Sequence, residues 1–467
     1  MRQAPITRNN SWADLLSEGR LPKFALICLG VWLNAADTLV TATIMPSVGA
    51  DLSGYAYFSW AVAGFLIGAI LAGASAGRLS EIMGLRKATA FAGVVLAVGC
   101  LLSALAPGIG LFLAGRVIQG VGSGWISGFA MVAIALLFPE RHIARVFAGV
   151  AAIWGVATVL GPLVGGLFAE AGDWRAVFWL FAAQAVLFSV ASPILLVGSD
   201  TSRRASGIPW TQLAVLALGV GAISVANLTS PALAIALMAI GIGFLLLVLW
   251  VDHRAPVRML PHRAGDLTTI SGAGYAAMFA LTAASMGLTI YGPAILQQLH
   301  GLTPLLAGYV VGSEALAWTL MAFVVAGVTT PDGERFWIRT GAGCILAGAV
   351  LLAVVMRQAT IVWVVAGGGL MGAGFGFSSS LMNRRVLRAL SEPDRAIGAS
   401  AFIAVRQAGS AAGAAIAGVS ANLAGFGAGL SASTAHAAGV WVFVTAIPLA
   451  LAGVWAAWRL SGSAATA

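Results

Sequence analysis

Charge is scarce in this sequence of 467 residues: 9% are Asp, Glu, Lys or Arg, against 60% hydrophobic. A water-soluble domain carries about a quarter of its residues as charges, so the composition excludes one and points to a chain solvated by lipid. Cysteine is scarce too. Cys28, Cys100 and Cys344 all lie in apolar runs, which excludes a disulfide framework, and no metal site is expected. The five histidines, His142, His253, His262, His300 and His436, fall at or near expected loops. A membrane serine protease therefore lacks its buried histidine. An intramembrane aspartyl protease needs two membrane aspartates, and Asp37 alone is a convincing one. No enzyme is expected. Long polar stretches are missing as well, so a sensor with an added soluble domain finds no room.

What is present is a recurrence of apolar runs of roughly 20 residues, each long enough to cross a bilayer as a helix. They fall near 24–46, 57–76, 88–107, 109–137, 146–168 and 175–197, then 211–228 and 232–251, then 268–292, 304–326, 337–356, 360–382, 397–423 and 437–459. This predicts an all-α membrane protein with fourteen transmembrane helices. Five segments follow: a polar lead-in over 1–22, a first group of six helices over 23–199, a linker with two inserted helices over 200–267, a second group of six over 268–459, and a tail over 460–467. The lead-in shows no cleavage site after an apolar core, so it reads as cytoplasmic rather than as a signal peptide.

The formal net charge of +9 matters less than its placement. With both termini inside, 21 of the 25 Lys and Arg fall in cytoplasmic segments, including Ser202-Arg203-Arg204. Only Arg175 and Arg357 land outside, while Arg116 and Arg406 lie within helices. Such asymmetry is a topology signal. It leaves no case for a nucleic-acid partner.

The two groups of six also repeat. Gly120-Val-Gly122-Ser-Gly124-Trp125 recurs as Gly372-Ala-Gly374-Phe-Gly376-Phe377, Pro139-Glu140-Arg141 as Pro393-Asp394-Arg395, and Pro46 as Pro293. Duplicated six-helix units of this sort build a midplane site between two rocking halves in many secondary transporters. Gly122-Ser-Gly124 is no phosphate loop, because it lies within a membrane helix and lacks that loop's lysine.

The organising stretch runs from Arg116 to Gly166: a helix carrying Arg116, Gln119 and Gly120, a short charged loop, Pro139-Glu140-Arg141-His142, and a second helix ending in Gly161-Pro162-Leu163-Val164-Gly165-Gly166. Arg116-Val-Ile-Gln119-Gly120 and Gly161-Pro162 with Gly165-Gly166 resemble the fourth-helix and fifth-helix motifs of the major facilitator superfamily, with Ala157 where a glycine is common. The loop from Gly77 to Lys87, with Glu81, Gly84 and Arg86, resembles that family's cytoplasmic gating motif; Glu81 replaces the usual aspartate, and Ile82 and Leu85 stand where arginines are common. Asp37 through Pro46 has the spacing of the first-helix motif of the fourteen-helix drug:proton antiporters, with Leu39 and Ala42 in place of threonine and asparagine. The resemblance covers nearly the whole chain. It implies two six-helix bundles plus an inserted pair, in the cell (inner) membrane, working as a monomer. It also implies alternating-access export of small amphipathic compounds, driven by a proton gradient without a cofactor.

Four ionisable residues lie deep in the expected spans: Asp37, Arg116, Glu314 and Arg406. Burial in low dielectric disfavours a charged carboxylate unless a cation compensates it. Asp37, with Thr38 next to it and Asn34 and Thr41 a turn away, is expected to bind the coupling proton while Arg116 tunes it; the alternative is a structural ion pair. Glu314, one turn from Trp318, suits a lipophilic cation through charge and cation–π contact. It is equally a second proton site or a partner of Arg406. Arg406 beside Gln407 suits an anionic substrate instead. Asn34, Tyr291, Trp318, Trp60, Trp125 and Met278 complete the expected lining. The expected partners are therefore a small-molecule substrate, protons and the lipid bilayer. Export of a lipid or metabolite, or import on the same fold, stays open at this point.

Overall fold

The structure, a computed structural model, describes residues 20–196, 207–356 and 360–462. Most of the lead-in, Ser202-Arg203-Arg204, Arg357 and the last five residues of the tail lie outside the described residues. Within them the chain forms fourteen α-helices and no strand. The first six are α1 (Arg20–Asp51), α2 (Phe58–Met83), α3 (Leu85–Ala104), α4 (Ile109–Leu137), α5 (Glu140–Glu170) and α6 (Arg175–Leu195). The inserted pair is α7 (Trp210–Ala226) and α8 (Pro231–Arg254). The last six are α9 (Ile270–His300), α10 (Pro304–Val325), α11 (Pro331–Val355), α12 (Ile361–Ala389), α13 (Glu392–Leu423) and α14 (Ala432–Gly462). Thirteen are long and apolar enough to cross a membrane. The exception, α7, has 17 residues; at about 1.5 Å per residue it reaches about 25 Å, near the lower limit for a span. This is a multi-pass membrane protein.

Successive helices run in opposite directions. The start of α1 and the end of α14 thus share one face, here the terminal face, and the α1–α2 turn lies on the opposite, distal face. Of the described Lys and Arg outside helix interiors, only Arg175 falls at the distal face. It is consumed locally: Arg175 bonds the Asp51 carboxylate, donates to the Ala106 carbonyl at 3.0 Å, and lies 4.2 Å over the Trp174 ring.

Several helices outrun their expected ends. α1 continues past Pro46 to Asp51, and α9 past Pro293 to His300. Inside a bundle, neighbouring helices and hydroxyl side chains re-satisfy the carbonyl that a proline frees, so a residue that ends helices in water does not end them here. Pro193 in α6 and Pro448 in α14 follow the same rule. The expected charged loop contracts to Pro139, with α5 starting at Glu140. Likewise α11 starts at Pro331, where the Thr330 hydroxyl accepts from the Gly333 N–H at 3.2 Å. A capping hydroxyl followed by proline at the first helical position is a strong start signal, and Thr303-Pro304 repeats it at α10.

The two groups of six pack by one plan. In the first, α2 packs on α4, α3 on α4 and α6, and α1 on α5. In the second, α10 packs on α12, α11 on α12 and α14, and α9 on α13. The halves meet through α5 against α10 and α13 against α2, the two equivalent contacts of a pseudo-two-fold. The repeated glycines explain why the plan is shared. A Cβ on Gly120 or Gly124 would run into the α2 backbone at Phe65 and Ala69, and one on Gly372 or Gly376 into the α10 backbone at Glu314 and Trp318. Small residues that let membrane helices touch backbone to backbone make the tightest crossings.

The inserted hairpin α7–α8 leans on α13 and α2, so it touches both halves. Its outer face meets lipid: α8 exposes Ile235, Ile240, Ile242, Leu246 and Trp250. At the terminal face the buried Asp252 fastens the following linker, accepting from the N–H of Met259 at 2.7 Å and of Leu260 at 3.0 Å, and from Gln212 at 3.2 Å. Further along, two hydrogen bonds from Thr268 and one from Arg263 hold the Asp266 carboxyl down at about 2.

At the distal face the hairpin joins a polar clasp. Asn227, at the end of α7, donates to Ser59 of α2 at 2.8 Å; Asn422 of α13 donates to the Asn227 carbonyl at 3.0 Å and to the Ala56 carbonyl at 2.9 Å. Replacing Asn422 with leucine removes two bonds, one to the first half at Ala56 and one to the inserted hairpin at Asn227, each worth about 1 kcal/mol. The expected outcome is a longer mean separation between spin labels at Ser53 and Ser431 in a cysteine-free background. An unchanged distance distribution would show that the clasp does not hold the face shut.

Candidate functional site

The first polar cluster lies wholly within the first half. Asp37, on α1, is 3% exposed and Arg116, on α4, is 1% exposed. One guanidinium nitrogen of Arg116 donates to both Asp37 oxygens, at 2.9 and 2.8 Å. Its Nε donates to the Ala61 carbonyl of α2 at 3.2 Å, and the group lies 4.7 Å over the Phe65 ring. Gln119, one turn on, also accepts from Arg116 and passes the network to α3, donating to the Gly99 carbonyl at 3.0 Å and Ser103 at 2.7 Å. Three helices thus meet at one guanidinium, and Gln119 ties in the fourth. A buried ion pair is tolerable when the remaining donors and acceptors are also met, and this cluster meets that condition.

Asn34 does not join the cluster. Its side chain donates to Ser127 of α4 at 2.7 Å, one turn further toward the terminal face. Trp125 donates to Ser75 at 2.9 Å and packs on Phe91, inside the same half.

The second half is built differently. Glu314 sits midway along α10 at 9% exposure, and among the described residues no cation pairs with it. Trp318, one turn on, stacks on Phe375 of α12 with centroids 4.9 Å apart. Arg406 of α13 places its guanidinium 5.8 Å from the Trp318 ring and makes no ion pair with Glu314. A buried acid, hydrogen-bonded to Thr289, and a buried base against the aromatic stack therefore lie at mid-membrane depth, neither in an ion pair among the described residues. The repeat does not duplicate the charge pair, because Gly368 occupies the α12 position equivalent to Arg116.

Between the halves, α5 uses two faces. Gly161 and Gly165 admit Leu39 and the Val40 carbonyl of α1, while Pro162 and Gly166 lie against Gly308 and Leu305 of α10. Tyr309 donates to the Val159 carbonyl at 3.2 Å, and the Leu305 N–H donates to Glu170 at 3.2 Å. These contacts, like the clasp, sit in the distal half of the bundle. An aromatic plug sits there too: Phe58 and Phe426 are 5.1 Å apart, and Tyr291 is 5.1 Å from Phe426 and 6.1 Å from Phe58. Tyr291 is fully buried in this plug. Met278 is also fully buried, its sulfur 3.4 Å from the Thr282 hydroxyl.

The motif after α2 lies at the terminal face. Gly77 and Glu81 are still helical, Arg78 pairs with Glu81 at 3.0 Å, and Gly84 breaks the chain with φ 77°. Arg86 opens α3. His142, placed near a loop by its sequence, is buried in the first turn of α5. Sequence reasoning missed the clasp and the plug. Asn227 and Asn422 each stand near the end of an apolar run, a signal that was available; Phe58 and Phe426 carried none.

Comparison with known proteins agrees with this architecture. Residues 27–414 match the sequence profile of the Major Facilitator Superfamily. A probable multidrug-efflux transporter of Mycobacterium tuberculosis is 29% identical over 434 residues, covering 90% of this chain and 91% of the relative. The acurin A biosynthesis cluster MFS-type transporter of Aspergillus aculeatus is 29% identical over 416 residues, covering 84% of this chain and 73% of the relative. Among solved structures, a peptide transporter POT in complex with sulfate superposes with a TM-score of 0.68 at 14% identity, covering 94% of this chain and 95% of the other. The nucleoside transporter NupG superposes with a TM-score of 0.67 at 12% identity, covering 94% and 99%.

Proposed function

Since the chain belongs to the major facilitator superfamily, we propose that it exports small amphipathic compounds across the cell (inner) membrane by alternating access, in exchange for protons and without a cofactor. It takes a small-molecule substrate and, on this reading, works as a monomer with both termini in the cytoplasm. The crowding of cations at the terminal face supports that orientation. The distal seal then closes the outer side, leaving the substrate to enter from within.

The observation that carries the reading is Glu314, a buried carboxyl with no ion-pair partner among the described residues, on a helix that joins the halves and one turn before Trp318 of the Trp318–Phe375 stack. A carboxyl and an aromatic face together fit a lipophilic cation. Asp37 is the proposed coupling site. Protonation releases its hold on Arg116, which Gln119 and the Ala61 carbonyl still retain, and loosens α1 against α4. Multidrug efflux in the mycobacterial relative's name supports export. Gly161, Pro162, Gly165 and Gly166 act as hinge and seal, with Glu81 and Arg86 in the terminal gate. Tyr291 meets substrate only when the distal plug parts; Asn34, Trp318 and Arg406 line the path.

Everted membrane vesicles energised with a proton gradient test this. Lipophilic cations are expected to dissipate the gradient in the wild type and to do so far less in Glu314→Gln. A response confined to anionic amphiphiles would transfer substrate recognition to Arg406, which is also free of any ion pair among the described residues and favours that second reading. Gradients untouched by every compound would sink the drug-export assignment.

A further inference from the structure

We infer that a groove between α11 and α14 at the terminal face binds the phosphate headgroup of an anionic phospholipid, at a site separate from the transport path. The groove has a volume of about 690 Å³ and is lined by Asp332, Arg335, Phe336, Arg339, Thr340, Trp458, Ser461 and Gly462. Its charges are unevenly matched. Glu334, the buried carboxylate of this region, is taken by Arg384 at 2.9 Å and Arg388 at 2.8 Å, on the α12 side. Among the described residues only Asp332 is left to oppose Arg335 and Arg339, and it reaches Arg335 at 3.2 Å with a carboxylate that is 92% exposed.

Arg339 is held in place rather than free to swing. Its Nε donates to Ser461 at 2.7 Å and its guanidinium lies 4.4 Å over the Trp458 ring. Both contacts leave its terminal nitrogens available. A guanidinium fixed by one edge and one face presents the other edge to a phosphate, the geometry that favours bidentate recognition. Two hydroxyl-bearing residues, Thr340 and Ser461, stand beside it.

The rim says which phosphate. Phe336 is 59% exposed and Trp458 54% exposed, on adjacent helices at the end of their spans. Exposed aromatic rings at that depth belong to the membrane–water interface, where acyl chains meet headgroups. A basic pocket between helices at this level is suited to an anionic lipid head. A soluble phosphate ester shares the charge but gains nothing from the aromatic rim.

The test uses the full chain purified in a neutral detergent, comparing wild type with Arg335→Gln/Arg339→Gln. Neither residue takes part in the proposed transport site. Binding of phosphatidylglycerol, phosphatidylcholine and glycerol 3-phosphate is followed by native mass spectrometry, with size-exclusion profiles confirming that both proteins are folded. Retention of phosphatidylglycerol over phosphatidylcholine in the wild type, reduced about tenfold in the variant, is the expected result; tenfold corresponds to about 1.4 kcal/mol. Glycerol 3-phosphate that displaces the lipid only at large excess supports the same site. Equal retention of phosphatidylglycerol by both proteins overturns the proposal, as does glycerol 3-phosphate binding as tightly as the lipid.

Discussion

Arg116→Leu is expected to destabilise the folded bundle by about 3–5 kcal/mol, the usual loss when one member of a buried ion pair is removed and its partner stays charged. The structure says why the value should be that large. Deleting the guanidinium orphans Asp37, the Ala61 carbonyl and Gln119 together. Asp37→Asn should behave otherwise. The amide keeps the shape and still accepts from Arg116, so the protein folds, but it can no longer take up and release a proton. Proton-driven export should fall to background in Asp37→Asn while substrate binding persists. Thermal unfolding in detergent measures the first effect and gradient dissipation in vesicles the second. If Asp37→Asn transports like the wild type, the pair is structural and Glu314 becomes the coupling residue.

The second large effect concerns the repeated glycines. Gly120→Ala and Gly372→Ala should each fail to give a monodisperse protein, because each methyl overlaps a backbone carbonyl, that of Phe65 or that of Glu314. Side chains can rotate away from a new methyl; a helix backbone cannot. Overpacking that forces backbone shifts costs about 1–3 kcal/mol, occasionally more. Gly369→Ala is the matched control, in the same helix as Gly372 but with nothing within 4 Å of the new methyl. It should leave yield and melting temperature unchanged. Comparable damage from Gly369→Ala would mean that glycine content, rather than these crossings, governs stability. Tolerance of Gly120→Ala would refute the close approach of α4 to α2.

Both predictions draw on residues that stood out in the bare sequence, though for different reasons. Arg116 and Asp37 stood out because charge inside an apolar run is costly. Gly120 and Gly372 stood out because the same spacing occurs twice. Neither signal says what each residue touches. The pairing of Asp37 with Arg116 joins positions on α1 and α4, and no periodicity connects them. Glu314 and Arg406 had equal claim to a pairing of their own. The fold instead sets Arg406 against Trp318 and leaves Glu314 hydrogen-bonded to Thr289, with no ion pair among the described residues. Tyr291, expected to line the substrate path, is enclosed by Phe58 and Phe426.

By itself the sequence determined the membrane class, the number of helices, their grouping into two sixes and an inserted pair, and the family. These depend on local quantities: the length of apolar runs, the sign of charge between them, and short motifs with fixed spacing. A bilayer forces every span to satisfy its own backbone, so run length translates directly into helices. Helix ends were less legible, since proline and charged first turns obey different rules inside a bundle. Only the tertiary structure decided which buried charges are paired, that the inserted hairpin bridges both halves through Asn227, and that the contacts described between the halves gather at the distal face. Those facts rest on which helix faces meet, a property of packing between segments hundreds of residues apart. No single segment encodes it, because in lipid every helix face is apolar and only the fit of small against large residues tells one neighbour from another.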